Sequence, residues 1–92
     1  MGRQWEEAVI VDGVRTAGGK LLGTLKDQTP DYLAAAVIRE LIGRSRLAAG
    51  EVDEVIFGQA KQTADCSNAA RVAALRAGIP QEVPGYTVHR QC

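Results

Sequence analysis

Three short runs rich in β-branched or aromatic residues alternate with two stretches of helical periodicity, and this alternation constrains the fold more than any other feature. Ala8-Val9-Ile10-Val11 is a continuous apolar run and reads as a buried strand of a parallel sheet. Val52 to Phe57 reads as a second strand, closed by Gly58, and Gly85 to His89 as a third. Between them, Thr29-Pro30-Asp31 is a helix start: a capping hydroxyl, a proline suited to the first turn, and an acid at the positive pole. Leu33, Val37 and Leu41 recur every four residues, flanked by Ala34, Ala36 and Ile38, so the spacing predicts a helix over Pro30 to Ser45. Ser67 or Asn68 can cap a second helix with Ala70, Val72, Ala73 and Leu75 on its inner face. Gly78-Ile79-Pro80 ends it. The expectation is an α/β layer with a parallel sheet and right-handed crossovers.

At 92 residues the chain has room for one small domain. Such a domain buries only about 60–65% of its unfolded surface. A sheet of three strands also leaves a hydrogen-bonding edge open, which points to a fragment or to a chain that pairs with another. Basic and acidic residues number 11 each, so nothing in the charge draws the chain to nucleic acid or an anionic membrane. The acidic group Glu51, Asp53, Glu54 reads as a solvated loop and strand edge. No apolar run approaches the ~20 residues of a membrane span. Residues Met1 to Glu7 lack a secretory layout, and Glu6 breaks the myristoylation pattern that Met1-Gly2 opens. Two cysteines, Cys66 and Cys92, are too few for a disulfide framework and fit a reducing, cytoplasmic setting.

Several chemistries fail on spacing. The glycine-rich connection from Asp12 to Thr29 is not a P-loop, because Leu21 follows Gly19-Lys20 and Val14 stands where the first glycine belongs. No Gly-x-Gly-x-x-Gly is present. Cys66, His89 and Cys92 are at most three metal ligands, without a Cys-x-x-Cys pair. Trp5, Tyr32, Phe57 and Tyr86 form no stacking platform with basic residues.

Cys92 follows the third strand. If a helix began there, its free N–H groups and dipole would favour a thiolate. Position alone favours the plainer role of a small buried hydrophobe. Four blocks of sequence shift the balance toward the nucleophile. They are Val11-Asp12-Gly13-Val14-Arg15-Thr16 with Gly19-Lys20 and Gly23-Thr24-Leu25; Val52 to Gly58; Asn68-Ala69-Ala70-Arg71 through Gly78-Ile79-Pro80; and Glu82 to Cys92. In order and spacing they resemble the opening of the thiolases, the acetyl-CoA C-acyltransferase family, from about Ala8 to Cys92. Two departures are Ala17, where the family usually has proline, and His89, where it often has asparagine.

The resemblance implies a thiolase-like fold in which residues 1–92 are the first part of a truncated N-terminal domain, ending at the nucleophile Cys92. It implies ping-pong acyl transfer with coenzyme A thioesters as substrates and no separate cofactor. The family's activating histidine, its second acid/base cysteine and its oxyanion-hole histidine all follow the nucleophile. The chain as written is therefore expected to be inactive without the remainder of the thiolase chain. A homodimer or homotetramer is implied as well. His89 reads as a packed strand residue, Arg15 and Arg71 as structural hydrogen-bonders, and Cys66 as a loop thiol without a catalytic role. Two alternatives stand beside this reading: a non-catalytic associating fragment, and a ketoacyl-synthase relative acting on carrier-protein substrates.

Overall fold

A computed structural model describes residues 6–91. Met1, Gly2 and Trp5 therefore lie outside the described residues. Helix α1 spans Pro30–Ser45, strand β1 Val55–Gly58, helix α2 Ala69–Arg76 and strand β2 Gly85–Val88, with a 3-10 turn at Ala49–Glu51. The strands run parallel, Val55 opposite Gly85 and Gly58 opposite Val88. Hydrogen bonds from Val55 N–H to the Pro84 carbonyl and from Gln59 N–H to the Val88 carbonyl, each 2.9 Å, bracket the ladder. The α/β class read from the sequence therefore holds, with two helices on a parallel sheet.

The expected first strand is the main correction. Ala8–Val11 takes no place in the sheet, and Val9, Ile10 and Val11 are 72%, 95% and 79% exposed. An apolar β-branched run becomes a strand only where a neighbour accepts its backbone hydrogen bonds. Among the described residues, β1 bonds only to β2. For the same reason Val52–Glu54 stays outside the ladder, and β2 stops at Val88, one residue before His89.

α1 has the expected bounds, but its start is built differently. The Thr29 side chain makes no capping bond; its backbone carbonyl accepts the Leu33 N–H at 3.1 Å. The helix runs through Gly43 and ends where Arg46 enters the left-handed region at φ 57°. Asn68 is the N-cap of α2, its side chain accepting the Arg71 N–H at 3.2 Å. The other end closes as the Gly78-Ile79-Pro80 signature predicts. Gly78 adopts φ 90°, its N–H reaches the Leu75 carbonyl at 3.2 Å, and the Ile79 N–H reaches Ala74 at 3.0 Å. That pair of bonds is the Schellman arrangement, with Ile79 folded back into the core at 3% exposure.

The core is dominated by alanine. Ala34, Ala35 and Ile38 of α1 meet Ala70, Ala73 and Ala74 of α2, with Val55, Ile79 and Val83 beside them. Both buried faces differ from the predicted ones. On α1 the face is Asp31, Ala34, Ala35, Ile38, while Leu33, Val37 and Leu41 are half-buried at its flank and Ala36 is exposed. On α2, Ala69 and Ala74 replace Val72 and Leu75, and Leu75 is 47% exposed. Small residues spaced three and four apart let two helix backbones come close, and a leucine in that seam would hold them apart.

The same closeness governs the contact of α2 with β2. A Cβ built on Gly85 would lie 3.3 Å from the Arg71 backbone N and Cα. Gly85→Val is therefore expected to destabilise the fold by about 1–3 kcal/mol through overpacking, read as a lower denaturation midpoint. Gly85→Ala, which needs a shift of only a few tenths of an ångström, should cost less.

Candidate functional site

Ligands of parallel α/β sheets bind beyond the carboxyl ends of the strands. Here that edge carries Gly58 and Val88 side by side, with the N-terminal residues of α2 hydrogen-bonded to β2 beside them. A groove of about 290 Å³ opens at this edge, lined chiefly by Pro30, Leu33 and Val37 of α1, by Phe57 and Gln59, and by Thr16. Leu33 and Val37 are thus free to line it because they lie off the helix–helix seam. Among the described residues three buried oxygens lack hydrogen-bond partners: Thr29 Oγ1, Gln59 Oε1 and Thr63 Oγ1. An unsatisfied buried acceptor or hydroxyl costs about 1–3 kcal/mol. Gln59 belongs to the groove wall, so its amide brings a polar atom to an otherwise apolar surface.

A polar network joins α2 to the strand on its far side. The Asn68 amide donates to the Gly85 carbonyl at 3.1 Å, and its Oδ1 accepts the Thr87 hydroxyl at 2.8 Å. Thr87 Oγ1 in turn accepts the Ala70 N–H at 3.0 Å. The Arg71 guanidinium donates to the carbonyls of Val83 at 2.8 Å and Gln81 at 3.0 Å. The Asn68 side chain, the Ala70 N–H and the Arg71 side chain at the start of α2 therefore hold the chain from residue 81 to residue 87.

A second cluster sits in the helix–helix seam. Asp31 is 6% exposed, and its Oδ2 accepts the Arg76 Nε–H at 2.7 Å. The guanidinium also lies over the Tyr32 ring, 4.2 Å from its centroid, and donates to the Tyr32 hydroxyl at 3.1 Å. The Asp31 carboxyl is held below the usual carboxylate range. The neighbouring Thr29 hydroxyl contributes most, though it forms no hydrogen bond of full geometry. Burial opposes it, while the Asp31 backbone N–H and Arg76 reinforce it.

The sequence-predicted residues fall in different places. Cys92 lies outside the described residues. His89 is exposed just past β2 and makes no side-chain hydrogen bond among the described residues; it is not the packed strand histidine expected. Arg71 is the structural hydrogen-bonder expected, and Arg15 donates only to the Thr16 carbonyl at 3.1 Å. Cys66 is 7% exposed, in a turn bridged from Thr63. Burial, then the nearby charges of Asp31 and Asp65, push its thiol up, which favours the protonated form. Among the described residues no group of three or more His, Cys, Asp or Glu side chains converges as a metal site would require. Among the described residues no helix is long and apolar enough to cross a membrane. The Asn68–Thr87 tie and the Asp31–Arg76 pair were not anticipated; Asn68 as a capping residue was the one visible sign of the first.

Comparison with known proteins bears on what this edge does. Residues 8–92 match the family model described as the thiolase N-terminal domain. The acetyl-CoA acetyltransferase of Pseudomonas aeruginosa is 44% identical over 87 residues, covering 95% of this chain and 22% of that protein. The 3-oxoadipyl-CoA/3-oxo-5,6-dehydrosuberyl-CoA thiolase of Escherichia coli is 48% identical over 88 residues, with 94% and 22% covered. The crystal structure of the Bacillus anthracis acetyl-CoA acetyltransferase superposes with a TM-score of 0.74 at 47% identity, over 78% of this chain and 18% of that one. The chain thus spans about a fifth of the length of the curated relatives it matches.

Proposed function

The chain belongs to the thiolase family, and from that premise we propose that it carries the nucleophile of a thiolase-type acyltransferase, Cys92. The observation that carries this reading is the family match running through residue 92, four residues past the end of β2, the strand paired in parallel with β1. In the proposed reaction the Cys92 thiolate attacks the carbonyl carbon of an acyl-CoA. A carbon–sulfur bond forms, and the CoA thiolate leaves with a proton from a general acid. A base then removes the α-proton of a second acyl-CoA, and the resulting carbanion attacks the acyl-cysteine carbonyl, forming a carbon–carbon bond as the carbon–sulfur bond breaks and the Cys92 thiolate is released. Thiolysis of a 3-oxoacyl-CoA is the same sequence in reverse. The covalent intermediate divides one difficult step into two easier ones. Donors to the thioester oxygen would stabilise the charge that develops there.

The substrates are acyl-CoA thioesters, no other cofactor takes part, and the setting is the cytoplasm. Competence needs the remainder of a thiolase polypeptide, and the whole protein works as a homodimer or homotetramer. The exposed apolar side chains Val9, Ile10, Val11, Ile56, Tyr86 and Val88 support association with further chain. The test is direct. The full-length polypeptide carrying these residues, mixed with acetyl-CoA, should yield an acetyl group on the Cys92 peptide by mass spectrometry. An adduct elsewhere, or none, would refute the assignment.

A companion expectation concerns the chain alone. The purified 92-residue polypeptide should show no CoA-dependent thiolysis of a 3-oxoacyl-CoA above the uncatalysed rate. Measurable turnover by that polypeptide would contradict the need for further chain.

A further inference from the structure

The end of β2 is tied to α2 from one side by hydrogen bonds of the Asn68 and Thr87 side chains. After Thr87, no side chain from residue 88 to residue 91 makes a hydrogen bond among the described residues, and the last backbone anchor is the 2.9 Å bond from Gln59 to Val88. Thr87 is thus the last side chain before Cys92 that fixes the strand to a helix. It does so through both functions of one hydroxyl, donating to Asn68 Oδ1 and accepting from the Ala70 N–H. Asn68 repeats the tie one pleat earlier, through its amide and the Gly85 carbonyl at 3.1 Å. A rotation or slip of the strand relative to helix α2 would break three hydrogen bonds at once.

We propose that Asn68 and Thr87 are positioning residues for the nucleophile, setting where the chain leading to Cys92 leaves the sheet. The inference rests on the Cys92 reading. A reacting sulfur displaced by about 1 Å can lose on the order of a hundredfold in rate without any change in what binds. The role therefore differs from that of a stabilising contact, which would change the folded fraction and leave the turnover of folded molecules alone.

The experiment uses the full-length polypeptide and compares Thr87→Val, Thr87→Ser and Asn68→Ser with the parent. Acetylation of Cys92 by acetyl-CoA is followed in single turnover, together with kcat, KM and the pH dependence of thiol alkylation. Thr87→Val removes the hydroxyl at nearly constant volume. It is expected to slow acetylation about tenfold to a hundredfold with KM unchanged. Thr87→Ser keeps the hydroxyl and should restore most of the rate. Asn68→Ser keeps a good helix cap and loses the amide bond to Gly85, so it should lower kcat in the same direction. If Thr87→Val does not fold, Asn68→Ser decides, and a parental rate for that variant overturns the proposal. A folded Thr87→Val with parental kcat overturns it as well. So does an equal loss in Thr87→Val and Thr87→Ser, since the methyl packing and not the hydroxyl would then matter. Absence of any Cys92 adduct in the parent would show instead that the nucleophile assignment had failed, and this proposal with it.

Discussion

Cys92→Ser in the full-length polypeptide should abolish the acyl-enzyme and lower turnover on the order of 10⁴-fold, with binding of acyl-CoA little changed. The size of the effect follows from the chemistry of the two groups. A cysteine thiol ionises near pH 8.5 and lower beside positive charge or a helix start, so a useful fraction is thiolate at neutral pH. A serine hydroxyl has no comparable ionised fraction, and its smaller oxygen sits short of a carbonyl placed for sulfur. Substrate affinity is set by contacts along the acyl and CoA groups, which the substitution leaves in place, so KM should move far less than kcat. The measurement is steady-state thiolysis together with intact-mass detection of the adduct. Cys66 provides an internal control. It is buried, with its thiol pushed up by that burial, so Cys66→Ala should leave the adduct at Cys92 intact. Loss of labelling in Cys66→Ala with retention in Cys92→Ser would move the nucleophile to the wrong cysteine and end the present assignment.

What the sequence made legible was local. The bounds of α1 and the turn after α2 rest on residues adjacent in the chain: Pro30 at a first turn, Gly78 at a left-handed position, Ile79 folding back. Such features need no knowledge of the rest of the fold. Ala8–Val11 is not a strand despite its composition, because β-branched residues mark an affinity for a sheet, not the presence of a neighbour to pair with. The buried helix faces depart from the periodic ones for a related reason. Periodicity ranks leucine and valine above alanine, whereas a close helix crossing selects the smallest side chains, here Ala35, Ala70, Ala73 and Ala74 at 0% exposure. The larger Leu33 and Val37 were left to line the groove at the carboxyl edge.

The candidate site divides in the same way. Cys92 was legible only through resemblance, since a lone cysteine after a strand has a plainer reading. The Asn68–Thr87 contact has no sign of its own in the sequence. Asn68 and Thr87 are 19 residues apart, and their contact depends on the register in which β2 joins β1 and on how closely α2 lies over Gly85. Only the capping role of Asn68 showed in one dimension.

Arg76→Ala is expected to destabilise the fold by about 2–3 kcal/mol, more than Asp31→Ala, even though both remove the same ion pair. The asymmetry comes from where each charge is left. The Asp31 side chain is 8% exposed and the Arg76 side chain 42%. Without Arg76 a carboxylate stays in the alanine seam between the helices with little water to solvate it. Without Asp31 the guanidinium swings outward into solvent, keeping its place over Tyr32 or giving it up at small cost. Arg76→Lys should recover part of the loss, because an ammonium lacks the planar fork that bonds Asp31 and covers the tyrosine ring together. The pH dependence has a fixed sign. Folding holds the Asp31 carboxyl below its ordinary value, so the folded state binds fewer protons than the unfolded chain in the acid range. The stabilisation is therefore complete above the unfolded value of about 3.9 and is lost as pH falls through the lower folded one. Denaturant titrations of parent and Arg76→Ala at pH 7 and in the acid range test both points. The gap between the two proteins should be largest at pH 7 and shrink as Asp31 is protonated. A gap that widened on acidification would mean that the pair does not hold the helices together through charge.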